Sequence, residues 1–251
     1  MQHSDLVIQQ FGDQAQAYLH SDVHARGAEL QVLADLVRAR PGAEVLDLGS
    51  GAGHVSFAVA PWARRVVAYD LAEAMLATVQ AAAAQRGLEN ITTREGAAEQ
   101  LPFADGSFDF VFSRYSAHHW ADMSCALREV TRVLRPSGQA VFVDVVSPGV
   151  AVLDTHLQAV EVLRDTSHVR DYSVTEWLGM VTGAGLLPTE HRLQRLRLVF
   201  EAWTERMRTP SIRRQAIRLL QNEVGEQVRR YFDIADDGSF TTDVLVLHAK
   251  K

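Results

Sequence analysis

A chain of 251 residues is long enough for one α/β domain with an inserted cap and a sizeable core. Its composition, 47% hydrophobic and 22% charged with a formal charge of −6, is that of an ordinary globular protein with no overall attraction for nucleic acid or anionic membranes. The lone cysteine, Cys125, excludes an intrachain disulfide. With no signal-type apolar core at the start and no apolar run of about 18 residues, the expected location is the cytoplasm.

From Asp5 to Tyr18 the apolar residues Leu6, Val7, Phe11, Ala15 and Tyr18 recur at mostly helical spacing. Asp22 to Arg38 places Leu30, Leu33, Leu36 and Val37 on one stripe, and Pro41-Gly42 ends that second helix. Val45 to His54, Val-Leu-Asp-Leu-Gly-Ser-Gly-Ala-Gly-His, then predicts strand, tight turn and helix. Glycines at alternate positions let a ligand approach the main chain, and the helix start offers it unpaired N–H groups. The dinucleotide pattern G-x-G-x-x-G fails, because His54 or Ser56 falls where its third glycine belongs.

Arg64 to Asp70 predicts a second strand ending in a carboxylate. At that position an acid commonly accepts hydrogen bonds from ribose hydroxyls, and Asp70 can equally cap the helix expected over Ala72 to Arg86. Met75 suits either a ligand contact or the core. Ile91 to Arg94 suggests an edge strand, Asp105-Gly106 a turn, and Ser107 to Ser113 a buried fourth strand. Beyond it stands Arg114-Tyr115-Ser116-Ala117-His118-His119-Trp120, at the sheet end where open α/β folds bind ligands. Histidine is well poised to take a proton near neutral pH, and adjacent residues point apart, so one of the pair is expected to face a substrate. No metal is expected, since the two lack i, i+4 placement and no Cys/His/Asp cluster joins them.

Asp122 to Leu134 is an amphipathic helix, and Arg135 to Gly138 turns it into a fifth strand, Gln139 to Val146. Val150 to Leu163 is helical, and Ser173 with Glu176 has capping-box spacing for another helix. Between them, Arg164 to Tyr172 is either a solvated loop or one lying over a pocket, with His168, Arg170 and Tyr172 as contacts. Leu187 to Phe200 and Thr241 to His248 are the last strands. Glu201 to Phe232 is helical and rich in arginine, which fits a solvated face or attraction of an anion.

The phrase Asp47-x-Gly49-x-Gly51-x-Gly53 resembles motif I of class I S-adenosylmethionine-dependent methyltransferases. Three further stretches resemble the same family in the same order. Phe11-Gly12-x-x-Ala15-x-x-Tyr18 is similar to its opening helix, which closes over the cofactor. Gly96-Ala97-Ala98-Glu99-Gln100-Leu101-Pro102-Phe103 is similar to its Gly-Asp-Ala-Glu-x-Leu-Pro-Phe phrase, with Ala97 where the family's adenine-binding Asp stands. Glu129 to Gly138 is similar to its structural segment between the fourth and fifth strands. The Arg114 to Trp120 phrase and Asp165 to Tyr172 look like a bacterial group of uncharacterised methyltransferases related to the ubiquinone/menaquinone C-methylases.

That resemblance implies a single Rossmann-like α/β domain with a doubly wound, seven-stranded sheet, mostly parallel with an antiparallel last strand. Residues 1–40 would be N-terminal helices, 41–148 the cofactor core, 149–186 and 201–232 a helical cap, and 187–200 and 240–249 the last strands. S-adenosyl-L-methionine would be held by Asp47, Gly49, Ser50, Gly51, Gly53, Asp70, Leu71, Met75, Ala97, Ala98, Glu99, Ser113 and Tyr18, and leave as S-adenosyl-L-homocysteine. His118 or His119 would serve as base, with His24, Tyr115, His168, Arg170 and Tyr172 toward the acceptor. The expected reaction is methyl transfer to O or C of a small quinol-, phenol- or carboxylate-like molecule. Nucleic acid and stable membrane insertion are not expected, and a homodimer is the one assembly considered. Two alternatives accompany this reading: a non-catalytic regulator that binds the cofactor, and an enzyme of the same fold using it for non-methyl chemistry.

Overall fold

The computed structural model describes residues 2–12 and 27–251. Tyr18 and His24 lie outside them. Seven strands form one sheet in the order β3-β2-β1-β4-β5-β7-β6. They are β1 (Glu44–Leu48), β2 (Arg65–Asp70), β3 (Ile91–Glu95), β4 (Phe108–Arg114), β5 (Leu134–Val146), β6 (Leu187–Leu198) and β7 (Phe240–Lys250). β1 to β5 run parallel, and β7 is antiparallel to both its neighbours, β5 and β6. This is the Rossmann-like, doubly wound sheet that the motifs predict.

The chain winds outward one way through β2 and β3 and the other way through β4 and β5, so the switch point lies between β1 and β4. There the connections leave in opposite directions and open a crevice at the carboxyl ends of the strands. Leu48 is in register with Tyr69, and Asp47 with Phe112. The turn after β1, Asp70 at the end of β2 and the loop after β4 therefore meet on one sheet edge.

The described helices are α1 (His3–Gly12), α2 (Ala28–Arg38), α3 (His54–Val59), α4 (Glu73–Gln85), α5 (Met123–Val133), α6 (Ala151–Arg164), α7 (Val174–Gly183), α8 (Phe200–Glu205), α9 (Ser211–Glu223) and α10 (Glu226–Tyr231). Alternate strand residues point to opposite faces, which divides the core in two. Leu46, Leu48, Phe108 and Phe142 pack against Leu127 and Val130 of α5 and Trp177 of α7. Val45, Val66, Phe110 and Phe112 pack against Leu33 and Val37 of α2 and Val55 and Val59 of α3. A third cluster joins Leu153, Leu157 and Val160 of α6 to Trp203, Ile217 and Phe232, forming a cap over the sheet end. Each large apolar side chain buried this way stabilises the fold by about 2 kcal/mol relative to exposure.

Three local expectations change. The helical stretch 201–232 is three helices, because Pro210 cannot continue α8 and Gly225 separates α9 from α10. β5 is entered at Leu134 rather than Gln139, with the expected turn kept inside it: Ser137 is at φ +63° and the register against β4 jumps from Phe108–Leu134 to Phe110–Gln139. The stretch 164–172 is not a solvated loop, since Asp165, Ser167 and Asp171 are all buried.

Candidate active site

The glycine turn is set by two constraints. Gly49 has φ +69°, and a Cβ there would lie 1.9 Å from Ser116 Oγ, so only glycine lets the turn after β1 approach the loop after β4. Gly53, at φ +87°, starts α3. Asp47, buried in β1, locks the turn from below, its Oδ2 accepting from Ser56 N at 2.9 Å and Ser56 Oγ at 2.6 Å. Burial pushes the Asp47 carboxyl up to about 6 against the opposing hydrogen bonds of Ser56.

Asp70 ties the neighbouring strand to the same turn. Its Oδ2 accepts from Gly51 N at 2.8 Å and its Oδ1 from Ala72 N at 2.9 Å, so it supports both the turn and the approach to α4. Each oxygen keeps acceptor capacity for a further donor. On the far side, the Tyr69 hydroxyl lies 3.1 Å from the carbonyls of Ala97 and Gln100, holding that loop to β2. Glu99 Oε1 accepts from Asp122 N at 3.1 Å.

These groups surround a cavity with roughly 1080 Å³ of empty space, part of it open to solvent. Asp47, Gly49, Ser50, Gly51, Asp70, Leu71 and Met75 form one side, and Ala97, Ala98 and Glu99 another. His3, Val7 and Phe11 of α1 close over it. The end of β4 contributes Arg114, and the loop after it Tyr115, Ser116, His119 and Trp120.

A second cavity, with about 590 Å³ of empty space, part of it open to solvent, adjoins the first and shares Phe11, Tyr115 and His119 with it. Its remaining wall is His118, Val145, Glu161, Arg164, Asp165, Asp171, Leu196, Leu198, Trp203 and Arg206, from β5, α6, the loop after α6, β6 and α8. Tyr115 turns the chain between the cavities at φ +53°, a conformation that non-glycine residues adopt at a cost. Burial pushes its phenol up to about 12, so it stays protonated.

The two histidines sit on a 3-10 turn, Ala117–His119, and their rings lie 4.2 Å apart. Asp144, buried in β5, organises that turn: Oδ2 accepts from Ala117 N at 2.8 Å, and Oδ1 is 2.6 Å from His118 Nδ1. Burial alone would discharge His118, but the Asp144 carboxylate outweighs it and holds the imidazole at about 9. Burial, reinforced by the His118 charge, drives His119 down to about 4. His119 Nδ1 is 3.1 Å from the Ser167 carbonyl, which can only accept, so Nδ1 carries the hydrogen and Nε2 the lone pair. Both rings line the second cavity, whereas adjacency alone predicts that they point apart; only His119 also reaches the first.

A family model described as a methyltransferase domain matches residues 46–142. The uncharacterized protein YafE of Escherichia coli is 50% identical over 199 residues, covering 79% of this chain and 96% of that one. The uncharacterized methyltransferase YcgJ of Bacillus subtilis is 34% identical over 224 residues, 89% of this chain and 88% of its own. The YcgJ crystal structure superposes with a TM-score of 0.85, covering 88% of this chain and 97% of that one. A putative methyltransferase from Bacillus halodurans, 31% identical, gives 0.86 over 90% and 99%. The chain belongs to the class I S-adenosylmethionine-dependent methyltransferases.

The first cavity of this methyltransferase fits that cofactor. The Ser50 hydroxyl, buried and without a hydrogen-bond partner among the described residues, belongs to its wall, and Asp70 offers acceptors for ribose hydroxyls. Asp47, Gly49, Ser50, Gly51, Asp70, Leu71, Met75, Ala97, Ala98 and Glu99 are brought together as the sequence suggests. Two expected cofactor residues are not in either wall. Gly53 faces Phe57 and Val79 and shapes the turn. Ser113, inside β4, pairs with Phe142 of β5; the strand starts and ends one residue later than expected, and its last residue, Arg114, lines the first cavity.

Tyr115 does reach the second cavity, but His168, Arg170 and Tyr172 do not line it. His168 Nε2 is 2.9 Å from Gln158 Oε1, and burial with the nearby histidines lowers it to about 3. Arg170 pairs with Asp154 at 3.1 Å and Glu176 at 3.4 Å, while Tyr172 packs on the core. These three hold the loop in place. Sequence reasoning missed Asp144, Glu161, Asp165 and Asp171. Asp144 carries a signal, as the lone acid in the apolar run Val141-Phe142-Val143-Asp144-Val145-Val146. Among the described residues no group of histidine, cysteine and acidic side chains is placed to hold a metal.

Proposed function

We propose that this methyltransferase transfers the methyl group to an oxygen or carbon nucleophile of a small molecule seated in the second cavity, with His119 receiving the acceptor's proton. The observation that carries this reading is the position of His119 on the shared wall of the two cavities, with Nε2 as its unprotonated nitrogen. S-adenosylmethionine supplies an electrophilic methyl on a good sulfonium leaving group. The protein's part is then positioning and exclusion of water. Phe11 and Tyr115 wall both cavities and set the nucleophile's approach. His118 is not available as a base at neutral pH: held at about 9 by Asp144, it already carries its proton.

A concave cavity of this size supports a small-molecule acceptor rather than nucleic acid. No described helix is long and apolar enough to cross a membrane. Incubation with methyl-labelled S-adenosylmethionine and a metabolite extract tests the proposal. A labelled small-molecule product is expected, and tight cofactor binding without any product would favour a regulator.

A further inference from the structure

Two residues of the second cavity's wall, Asp165 and Asp171, each carry a buried carboxyl oxygen with no hydrogen-bond partner among the described residues. Asp165 is 1% exposed, and its Oδ1 accepts from Ser167 N at 2.8 Å and Ser167 Oγ at 2.6 Å; its Oδ2 has no hydrogen-bond partner among the described residues. His119 Nε2, at 3.9 Å, is beyond hydrogen-bond reach of that oxygen. Asp171 is also 1% exposed, and its Oδ2 is likewise unpartnered among the described residues. Its main chain is pinned to α6, with N donating to Gln158 Oε1 at 3.1 Å and the carbonyl accepting from Gln158 Nε2 at 2.8 Å. Leaving a buried carboxyl oxygen unsatisfied is costly, and two in one cavity point to a ligand that satisfies them.

We propose that Asp165 and Asp171 select the methyl acceptor by hydrogen bonding to its hydroxyl groups, so that the acceptor is a neutral, largely apolar, hydroxyl-bearing molecule. This rests on the reading that the second cavity holds the acceptor. Leu196, Leu198, Val145 and Trp203 supply the apolar wall. Burial opposes the charge on Asp165, but the two hydrogen bonds that Ser167 donates to Oδ1 and the nearby Arg164 guanidinium favour the carboxylate, so Oδ2 is a hydrogen-bond acceptor. Burial and the nearby Glu161 push Asp171 well above the usual carboxylate range, which favours its protonated, hydrogen-bond-donating form. A hydroxyl can donate to the first and accept from the second. A carboxylate only accepts and would face Asp165 unfavourably, whereas an ammonium only donates and cannot accept from Asp171.

The test uses phenol, benzoate and benzylamine as probes of matched size, with binding to the full-length protein measured by ligand-observed NMR in saturating S-adenosylmethionine. Phenol is expected to bind at least about tenfold more tightly than either ion. Asp165→Asn places an N–H donor in the cavity and should raise benzoate relative to phenol, while Asp171→Leu should remove most of the hydroxyl preference. Cofactor affinity, unchanged in both, verifies that they fold. Leu198→Trp fills the cavity and should abolish probe binding. If phenol binding survives Leu198→Trp, the acceptor-cavity reading fails. If Leu198→Trp abolishes binding but both aspartate variants retain the parent's probe order, the assignment of Asp165 and Asp171 fails alone.

Discussion

His118 Nδ1 stands 2.6 Å from Asp144 Oδ1 at the carboxyl end of the sheet. This contact gives two adjacent imidazoles opposite charge states, His118 at about 9 and His119 at about 4. In Asp144→Asn the counter-charge is gone, so burial should pull the His118 pKa below neutrality, and loss of the His118 charge should let that of His119 rise. Imidazole NMR titration of the parent and variant measures both shifts. Unmoved titrations would mean that Asp144 does not control the pair.

The same contact makes stability depend on pH. The folded His118 pKa lies above its ordinary value of 6.5, so its contribution is fully present below pH 6.5 and is lost as pH rises through about 9. At about 1.4 kcal/mol per pH unit the loss amounts to roughly 3 kcal/mol. Urea unfolding of the parent should therefore show a stability decline between pH 6.5 and 9 that His118→Gln lacks.

Gly49→Ala should impair the cofactor cavity directly. The added Cβ meets Ser116 Oγ at 1.9 Å in a backbone conformation, φ +69°, that alanine resists. S-adenosylmethionine affinity should fall at least about tenfold, a loss near 1.4 kcal/mol, by calorimetry. Gly12→Ala, where an added Cβ meets no described atom within 4 Å, is the control expected to bind normally.

Ala97 stands in the cavity wall where the family resemblance places an aspartate. Ala97→Asp should restore one hydrogen bond to the adenine amino group, worth about 1 kcal/mol, and tighten cofactor binding about fivefold. An unchanged dissociation constant would mean that neighbouring groups already supply that contact.

The cofactor cavity is legible in the sequence because its shape depends on local chemistry. Alternating glycines, Asp47 before them and Asp70 at the next strand end specify a turn whatever packs around it. Ser113 falls outside the cavity, and Arg114, the residue after it in β4, takes the place in the wall. The breaks in 201–232 are also written in Pro210 and Gly225, but continuous helical spacing conceals them. The acceptor side is less legible for a different reason. Polar residues in 164–172 suit water as well as a buried network, and the choice is made by Gln158 on α6, which grips Asp171 from thirteen residues away. Likewise the wall from Leu196, Leu198 and Trp203 exists only once β6 and α8 fold back over the sheet end.

The most direct test of the account is methyl transfer by His119→Gln, assayed with labelled S-adenosylmethionine and metabolite extract beside the parent protein. Glutamine can still donate to the Ser167 carbonyl but is no base. Turnover is expected to fall by about 10² to 10⁴-fold, far more than any change in cofactor affinity from the altered cavity wall. Turnover equal to the parent's would contradict the account.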